Sequence, residues 1–329
     1  MVMALAACGK NSGGAVVTPP VTDTPIIKGA DISWLTQMES QGLKFYNSSG
    51  TAMDCIQLMQ SLGINAIRLR VWVDPAGGWN SNADVVAKAK RVKQLGMRLM
   101  IDLHYSDTWA DPGQQTKPAA WASLDSAALV QKVHDYTFSV LDTLRTAGVA
   151  PSWVQVGNET SDGMLWPDGQ ASKHMAAFAA MVNAGYSAVK SINDSIKVIV
   201  HIANGYDNSL YRWIFDGLKS NGANWDIIGM SLYPPVSGWQ SYNDNCLSNM
   251  KDMIARYNKS VMICEVGMPA DQAAVCQSFL SDIISKTKTV SGLGVFYWEP
   301  ESYNSWQGYK LGAFDDGGKP TAAMNAFSH

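Results

Sequence analysis

Two glutamates stand where a catalyst would need them. Glu159 closes the stretch WVQVGNET, whose first half alternates like a strand and then runs into Gly157, Asn158 and Glu159. Glu265 sits in the apolar run VMICEVG. A buried strand has no use for a terminal amide and carboxylate, whereas two carboxyls brought about 5 Å apart can hydrolyse a glycosidic bond with retention. One attacks the anomeric carbon, and the other protonates the leaving oxygen and later deprotonates water. The attacking carboxylate needs a cation to hold it ionised, and the acid needs a less polar setting with a charged neighbour. Glu159 reads as the proton donor, with Asn158 beside it to bond a sugar 2-hydroxyl. Arg68 and Arg70 are both two-residue alternates on one strand face, so spacing leaves the choice of cation open.

Other chemistry-bearing residues end apolar runs in the same way. His104 follows Asp102-Leu103, Tyr233 precedes Pro234-Pro235, and Trp298 precedes Glu299-Pro300. The proline pair ends its strand and leaves Tyr233 at the rim. A lone glutamate at a strand end is more often an ion-pair partner, and Tyr233 or Trp298 alone reads equally well as packing. The company of a second glutamate with Arg, His and Tyr reverses that weighting. His104 reads as a pocket histidine that orients a carboxylate rather than as a metal ligand.

These residues need a frame that brings strand ends together. Strand-type runs are predicted at Ile26–Ile32, Ala66–Trp72, Arg98–Tyr105, Trp153–Glu159, Lys197–Ala203, Ile227–Tyr233, Val261–Val266 and Gly294–Glu299. Helical periods are predicted at Thr51–Leu62, Ala83–Leu95, Ala127–Ala147, His174–Ile192, Asn208–Asn221, Asn243–Tyr257, Ala273–Lys286 and Thr321–Phe327. Strict strand–helix alternation demands parallel pairing with crossover helices. Eight such units predict an α/β fold, a single-domain (β/α)₈ TIM barrel with its site at the C-terminal strand ends. An open doubly wound sheet is disfavoured, because no GxGxxG turn follows the first strand.

Composition agrees. The chain has 329 residues, 47% hydrophobic and 16% charged, with a net charge of −3. No basic cluster exists to neutralise phosphates, so nucleic acid is excluded as a partner. Cys8, Cys55, Cys246, Cys264 and Cys276 form no CxxC pair, Cys264 reads as a buried thiol, and a Cys246–Cys276 bridge is left open. Leu5-Ala6-Ala7-Cys8-Gly9 resembles a bacterial lipobox, and Lys10 to Pro25 is Gly-, Pro- and Thr-rich. Residues 1–25 therefore read as a lipobox-like start and flexible linker ahead of a barrel at 26–329. The expected location is the bacterial cell surface or outer membrane, by export and a lipid anchor at Cys8.

Longer words carry a resemblance. GADIS (29–33), RLRVWV (68–73), IDLHYSDTWADPGQQTKPAAW (101–121), VGNE (156–159), GMLWP (163–167), SLYP (231–234) and FYWEP (296–300) are similar to glycoside hydrolase family 53, the arabinogalactan endo-β-1,4-galactanases. The resemblance runs from Lys28 to Phe327. It implies a retaining enzyme with Glu159 as acid/base and Glu265 as nucleophile, and it favours Arg68 as the arginine beside the nucleophile. It places His104, Asn158, Tyr233 and Trp298 in the substrate pocket, with Asp31, Trp109 and Trp166 as further substrate-binding residues. Loop eight, with Tyr303, Trp306 and Tyr309, is expected to shape distal subsites. The implied partners are galactan polysaccharide and galacto-oligosaccharides, for a monomer that needs no cofactor. Some bacterial members hold calcium in a long loop after strand seven. Here Val266 to Asp271 runs almost straight into the next helix, so no metal is expected. A mannanase or xylanase of the same clan, or a non-catalytic glycan-binding barrel, is the alternative.

Overall fold

The computed structural model describes residues 25–328. Cys8 and the linker lie outside the described residues. Eight strands form the barrel: β1 (Ile27–Asp31), β2 (Ala66–Val71), β3 (Arg98–Leu103), β4 (Trp153–Val156), β5 (Lys197–Ile202), β6 (Ile227–Leu232), β7 (Ser260–Val266) and β8 (Gly294–Trp298). Each pairs in parallel with its sequence neighbours, and β1 closes the ring by pairing with both β8 and β2. At that seam Asp31 lies opposite Trp298 on one side and Arg68 on the other.

Alternation along each strand sorts the barrel interior into two storeys. The lower storey is apolar: Ile27, Ala66, Met100, Trp153, Ile199, Ile227, Met262, Cys264 and Phe296 make one buried cluster. A Cβ on Gly29 would lie 2.1 Å from the Phe296 ring, so glycine makes room for that plug. Two residues further along most strands, the inward positions turn polar, with Asp31, Arg68, Asp102, Gln155, His201 and Ser231 all buried. The outward strand residues pack against the helices in a larger core.

The helices are α1 (Leu35–Ser40), α2 (Cys55–Ser61), α3 (Asn82–Gln94), α4 (Ser126–Thr146), α5 (Ala171–Ile192), α6 (Asn208–Ser220), α7 (Trp239–Tyr257) and α8 (Ala273–Thr289). The helix expected from Thr51 begins at Cys55, because the Asp54 carboxylate caps Ile56 and Gln57 N–H groups. Ala52–Met53 instead pairs with Phe45–Tyr46 in a short ribbon. The short α1 lacks a periodic signal in the sequence, and α7 starts four residues earlier than its pattern suggests. The terminal helix is a 3₁₀ segment, Ala322–Phe327. Cys246 and Cys276 are free buried thiols, so the bridge left open by the sequence is not formed. Cys276 sits instead against the Tyr297 hydroxyl, at 3.7 Å. Among the described residues no helix is long and apolar enough to cross a membrane.

Candidate active site

Strand β4 stops at Val156, three residues before the predicted end. Gly157 turns the chain with φ +87°, and Glu159 follows in the left-handed region at φ +43°. That conformation costs a residue with a Cβ of order 1–3 kcal/mol and persists only when its surroundings hold it. They do so here. Asn158 Nδ2 donates to the Ala110 carbonyl at 2.8 Å, Gln115 Nε2 donates to the Asn158 carbonyl at 2.9 Å, and Thr160 N donates to the His201 carbonyl at 2.8 Å. The turn lifts Glu159 out of the β4 ladder and aims it over the barrel mouth.

Glu265 arrives by a different device. Strict alternation from Met262 and Cys264, both inward, would send Glu265 outward into the helices. The β6–β7 register slips between Met230 and Ser231, so that Ile263 faces Met230 but Glu265 faces Ser231. Cys264 is the extra residue of a bulge. One residue of slip inverts the faces beyond it. Val266 therefore packs in the outer core, and Glu265 turns inward with 5% exposure.

Arg68 organises the floor. Its Nη1 donates to Asp31 Oδ2 at 2.7 Å, Nη2 to Asp102 Oδ2 at 2.9 Å and Asn158 Oδ1 at 2.8 Å, and Nε to Gln155 Oε1 at 2.6 Å, while Nη2 also forms an ion pair with Glu265 Oε1 at 2.9 Å. Tyr233 donates its hydroxyl to the other Glu265 oxygen at 3.0 Å. Asp102, its own carboxyl held low against burial by Arg68 and His104, also accepts from His104 Nε2 at 3.0 Å. Trp72 Nε1 and the Ala110 N–H both donate to His104 Nδ1, at 3.2 and 3.1 Å. The neutral ring therefore carries its proton on Nε2.

The two glutamates face one cavity and titrate together. Burial pushes Glu159 up to about 7, against the pull of a Ser231 hydrogen bond and of Arg68. Burial also pushes Glu265 upward, with Arg68 opposing and the Glu159 charge adding to the rise. The pair therefore loses its first proton from whichever carboxylate is better solvated by donors. Glu265 has the Arg68 guanidinium and the Tyr233 hydroxyl. Glu159 has only the Ser231 hydroxyl and more remote charge. The negative charge accordingly resides on Glu265 and the proton on Glu159.

The cavity over the pair has a volume of about 350 Å³ and is lined by His104, Trp109, Ala110, Asp111, Asn158, Glu159, Tyr233, Glu265, Trp298, Tyr309 and Leu311. A second cavity of about 420 Å³ adjoins it and shares Trp109, Trp298 and Tyr309 as a common wall. Aromatic faces with polar edges beside two carboxyls suit a sugar chain. Comparison with known proteins decides the family. The model of glycosyl hydrolase family 53 matches residues 27–327. The chain belongs to that family. A probable arabinogalactan endo-β-1,4-galactanase A of Neosartorya fischeri is 34% identical over 307 residues, 83% of each chain. Among solved structures, a fungal β-1,4-galactanase superposes with a TM-score of 0.86 at 29% identity, covering 92% of this chain and 98% of the other. The family 53 catalytic domain of Ignisphaera aggregans gives 0.84 at 29% identity, covering 95% and 98%.

In this family 53 hydrolase the structure brings Glu159, Glu265, Asn158, His104, Tyr233, Trp109 and Trp298 together around one cavity. Three of the expected site residues line neither cavity. Asp31 is fully buried behind Arg68, bonded by the Ser33 backbone, and meets no cleft surface. Its Oδ2 accepts from Arg68. Arg68 itself is fully buried and reaches substrate only through Glu265 and Asn158. Trp166 is half-buried, its Nε1 donating to the Asp162 carbonyl, and it lines neither cavity.

His201, absent from the sequence prediction, connects the parts. The Gln155 amide, fixed by Arg68 and Asp102, donates to His201 Nδ1 at 2.9 Å. The ring proton therefore faces Ser231 Oγ, 2.8 Å from Nε2. Burial and the Arg68 charge hold this histidine well below its ordinary range, so it stays neutral. Ser231 then directs its own hydroxyl to Glu159. The signal was available, since His201 is the inward alternate of Ile199 at the end of strand five.

Proposed function

We propose that this family 53 hydrolase is an endo-β-1,4-galactanase that cleaves linear galactan and type I arabinogalactan with retention at the anomeric carbon. In the first step Glu265 attacks C1 of the galactosyl unit as the C1–O bond breaks, and the Glu159 proton passes to the departing oxygen. In the second step Glu159, now ionised, takes a proton from water. The hydroxide oxygen bonds C1, and Glu265 leaves as a carboxylate. His104 holds Asp102 and thereby Arg68, which keeps Glu265 ionised. Asn158 has one Nδ2 hydrogen left for the sugar 2-hydroxyl, since the other serves Ala110. Trp109 and Trp298 offer ring faces to the sugar.

The observation that carries this assignment is the asymmetry of the pair. Glu265 has the Arg68 ion pair and the Tyr233 hydroxyl, whereas Glu159 has no arginine partner, although both face the same cavity. The substrate is supported by the galactanase named among the relatives. The test is a product profile on linear β-1,4-galactan, mannan and xylan, with the anomer of the first product read by NMR. Oligosaccharides from galactan, in the β form before mutarotation, are expected. Release from mannan or xylan but not galactan would replace the substrate, and an initial α product would remove the retaining mechanism. The same reading places the enzyme as a monomer tethered through lipid on Cys8, checked by palmitate labelling of the wild-type chain against Cys8→Ala.

A further inference from the structure

Arg70 is a fully buried cation that the chemistry above does not use. Its Nη1 pairs with Glu299, and Asp31 lies 4.0 Å away. Its Nε and Nη2 have no hydrogen-bond partner. Tryptophan rings stand where those partners would be. The guanidinium carbon is 4.5 Å from the centroid of Trp109, 5.1 Å from Trp34, 5.3 Å from Trp72 and 5.9 Å from Trp298. The rings come from separate segments: the turn after β1, the end of β2, the loop after β3 and the end of β8. Three pairs meet edge-on, at 5.0 Å for Trp72–Trp109, 5.2 Å for Trp34–Trp298 and 5.8 Å for Trp34–Trp109, and Trp109 and Trp298 meet tilted at 5.8 Å.

All of these rings line the second cavity, and Trp109 and Trp298 also line the cavity over the carboxyl pair. Edge contacts alone leave ring tilt soft. A planar cation presenting N–H groups to several π faces fixes the tilt of each, and lysine, with a compact ammonium, cannot address several faces at once. Arg70 is itself tethered. Glu299 pairs with it and also accepts from Trp34 N at 3.2 Å. Burial and the neighbouring Glu299 charge push the Glu301 carboxyl upward, and neither of its oxygens has a hydrogen-bond partner.

We propose that Arg70 is a positioning residue that locks the tryptophan wall of the cleft and so sets the binding of sugar units beyond the scissile bond. This rests on the galactanase assignment, and the experiment separates the two. Kinetics of wild type, Arg70→Lys and Glu299→Gln are measured on galactan and on galacto-oligosaccharides of increasing length, with tryptophan emission recorded for each protein. Wild-type inactivity on galactan would sink the substrate assignment instead. Given an active wild type, Arg70→Lys should raise KM for long substrates about tenfold while kcat falls less than about threefold, as loss of a desolvated cation–π contact predicts. The advantage of long over short oligosaccharides should shrink, and tryptophan emission should move to longer wavelength. Glu299→Gln keeps the arginine, loosens its tether and should shift KM in the same direction by less. It carries the test if Arg70→Lys does not fold. The proposal is overturned by an unchanged KM and length profile, or by an equal fall in kcat at every length, which would mean that Arg70 acts through Arg68 and the carboxyl pair.

Discussion

Glu159 should make the protein less stable as pH rises, and replacing it should reverse that. Burial pushes this carboxyl up to about 7, against an ordinary value of 4.5. The folded chain therefore keeps a proton that the unfolded chain releases. The group is at its most favourable for folding below its unfolded value. Its contribution is lost progressively between pH 4.5 and about 7 and is constant above. A shift of that size corresponds to about 3 kcal/mol. In Glu159→Gln the amide keeps the shape, can still accept from Ser231, and does not titrate. Thermal unfolding of both proteins from pH 4.5 to 8 should therefore show the variant gaining on the wild type by about 3 kcal/mol, or about 5 °C for a chain of this size. The carboxyls titrate as a pair, so the difference reports their upper step. The same step should appear in catalysis. The proposed acid must be protonated, so kcat/KM of the wild type should fall as pH rises through about 7. The variant should lose about 10²–10⁴ in rate on unactivated galactan. A melting difference independent of pH, or an alkaline limb beyond pH 9, would refute both the burial argument and the assignment of the acid.

Glu265→Ala should abolish turnover of galactan, and azide should restore activity on an aryl galactoside with a good leaving group, giving the α-galactosyl azide; Glu159→Ala under the same conditions should give the β-azide, and exchanged products would exchange the two roles. Tyr233→Phe removes the hydrogen bond to Glu265 and leaves the Arg68 ion pair, so kcat/KM should drop about 10- to 100-fold, in line with a hydrogen bond to a charged group; an unchanged rate would show that the ion pair alone suffices. Ser231 lowers the Glu159 value through its hydroxyl, so Ser231→Ala should move the alkaline limb of the pH–rate profile upward, and a downward move would contradict the His201–Ser231–Glu159 relay.

The barrel was legible because strands buried on both sides must be apolar until they leave the core, and the change to Arg, His, Asn or Tyr marks the exit. That logic singled out Glu159, Asn158, His104 and Tyr233, which the fold gathers around one cavity. It failed where position depends on a partner strand. Nothing local to MICEVG says that Cys264 is a bulge, because the slip exists only in the pairing of β7 with β6. It also misjudged depth. Asp31 and Arg68 look like rim residues by type, yet they are fully buried, because neighbouring strands supply the countercharges that make burial tolerable. Helix starts shifted for a third reason: a side-chain cap such as Asp54, not the first apolar residue, decides where backbone N–H groups are satisfied.

The distribution of arginine bonds also explains why this site contains an acid at all. Arg68 and Arg70 lie among the carboxyls of Asp31, Asp102, Glu159, Glu265, Glu299 and Glu301. At low dielectric such an excess of negative charge cannot persist, so some carboxyls must keep their protons. Which ones is settled by who holds an arginine. Arg68 bonds Asp31, Asp102 and Glu265, and Arg70 bonds Glu299. Glu159 and Glu301 are left without one. Glu301 is walled in with neither oxygen hydrogen-bonded, whereas Glu159 opens onto the cavity. The proton that the proposed reaction needs is thus retained by exclusion: the arginines are committed to neighbouring carboxyls, and Glu159, open to the cavity and without such a partner, is left able to donate.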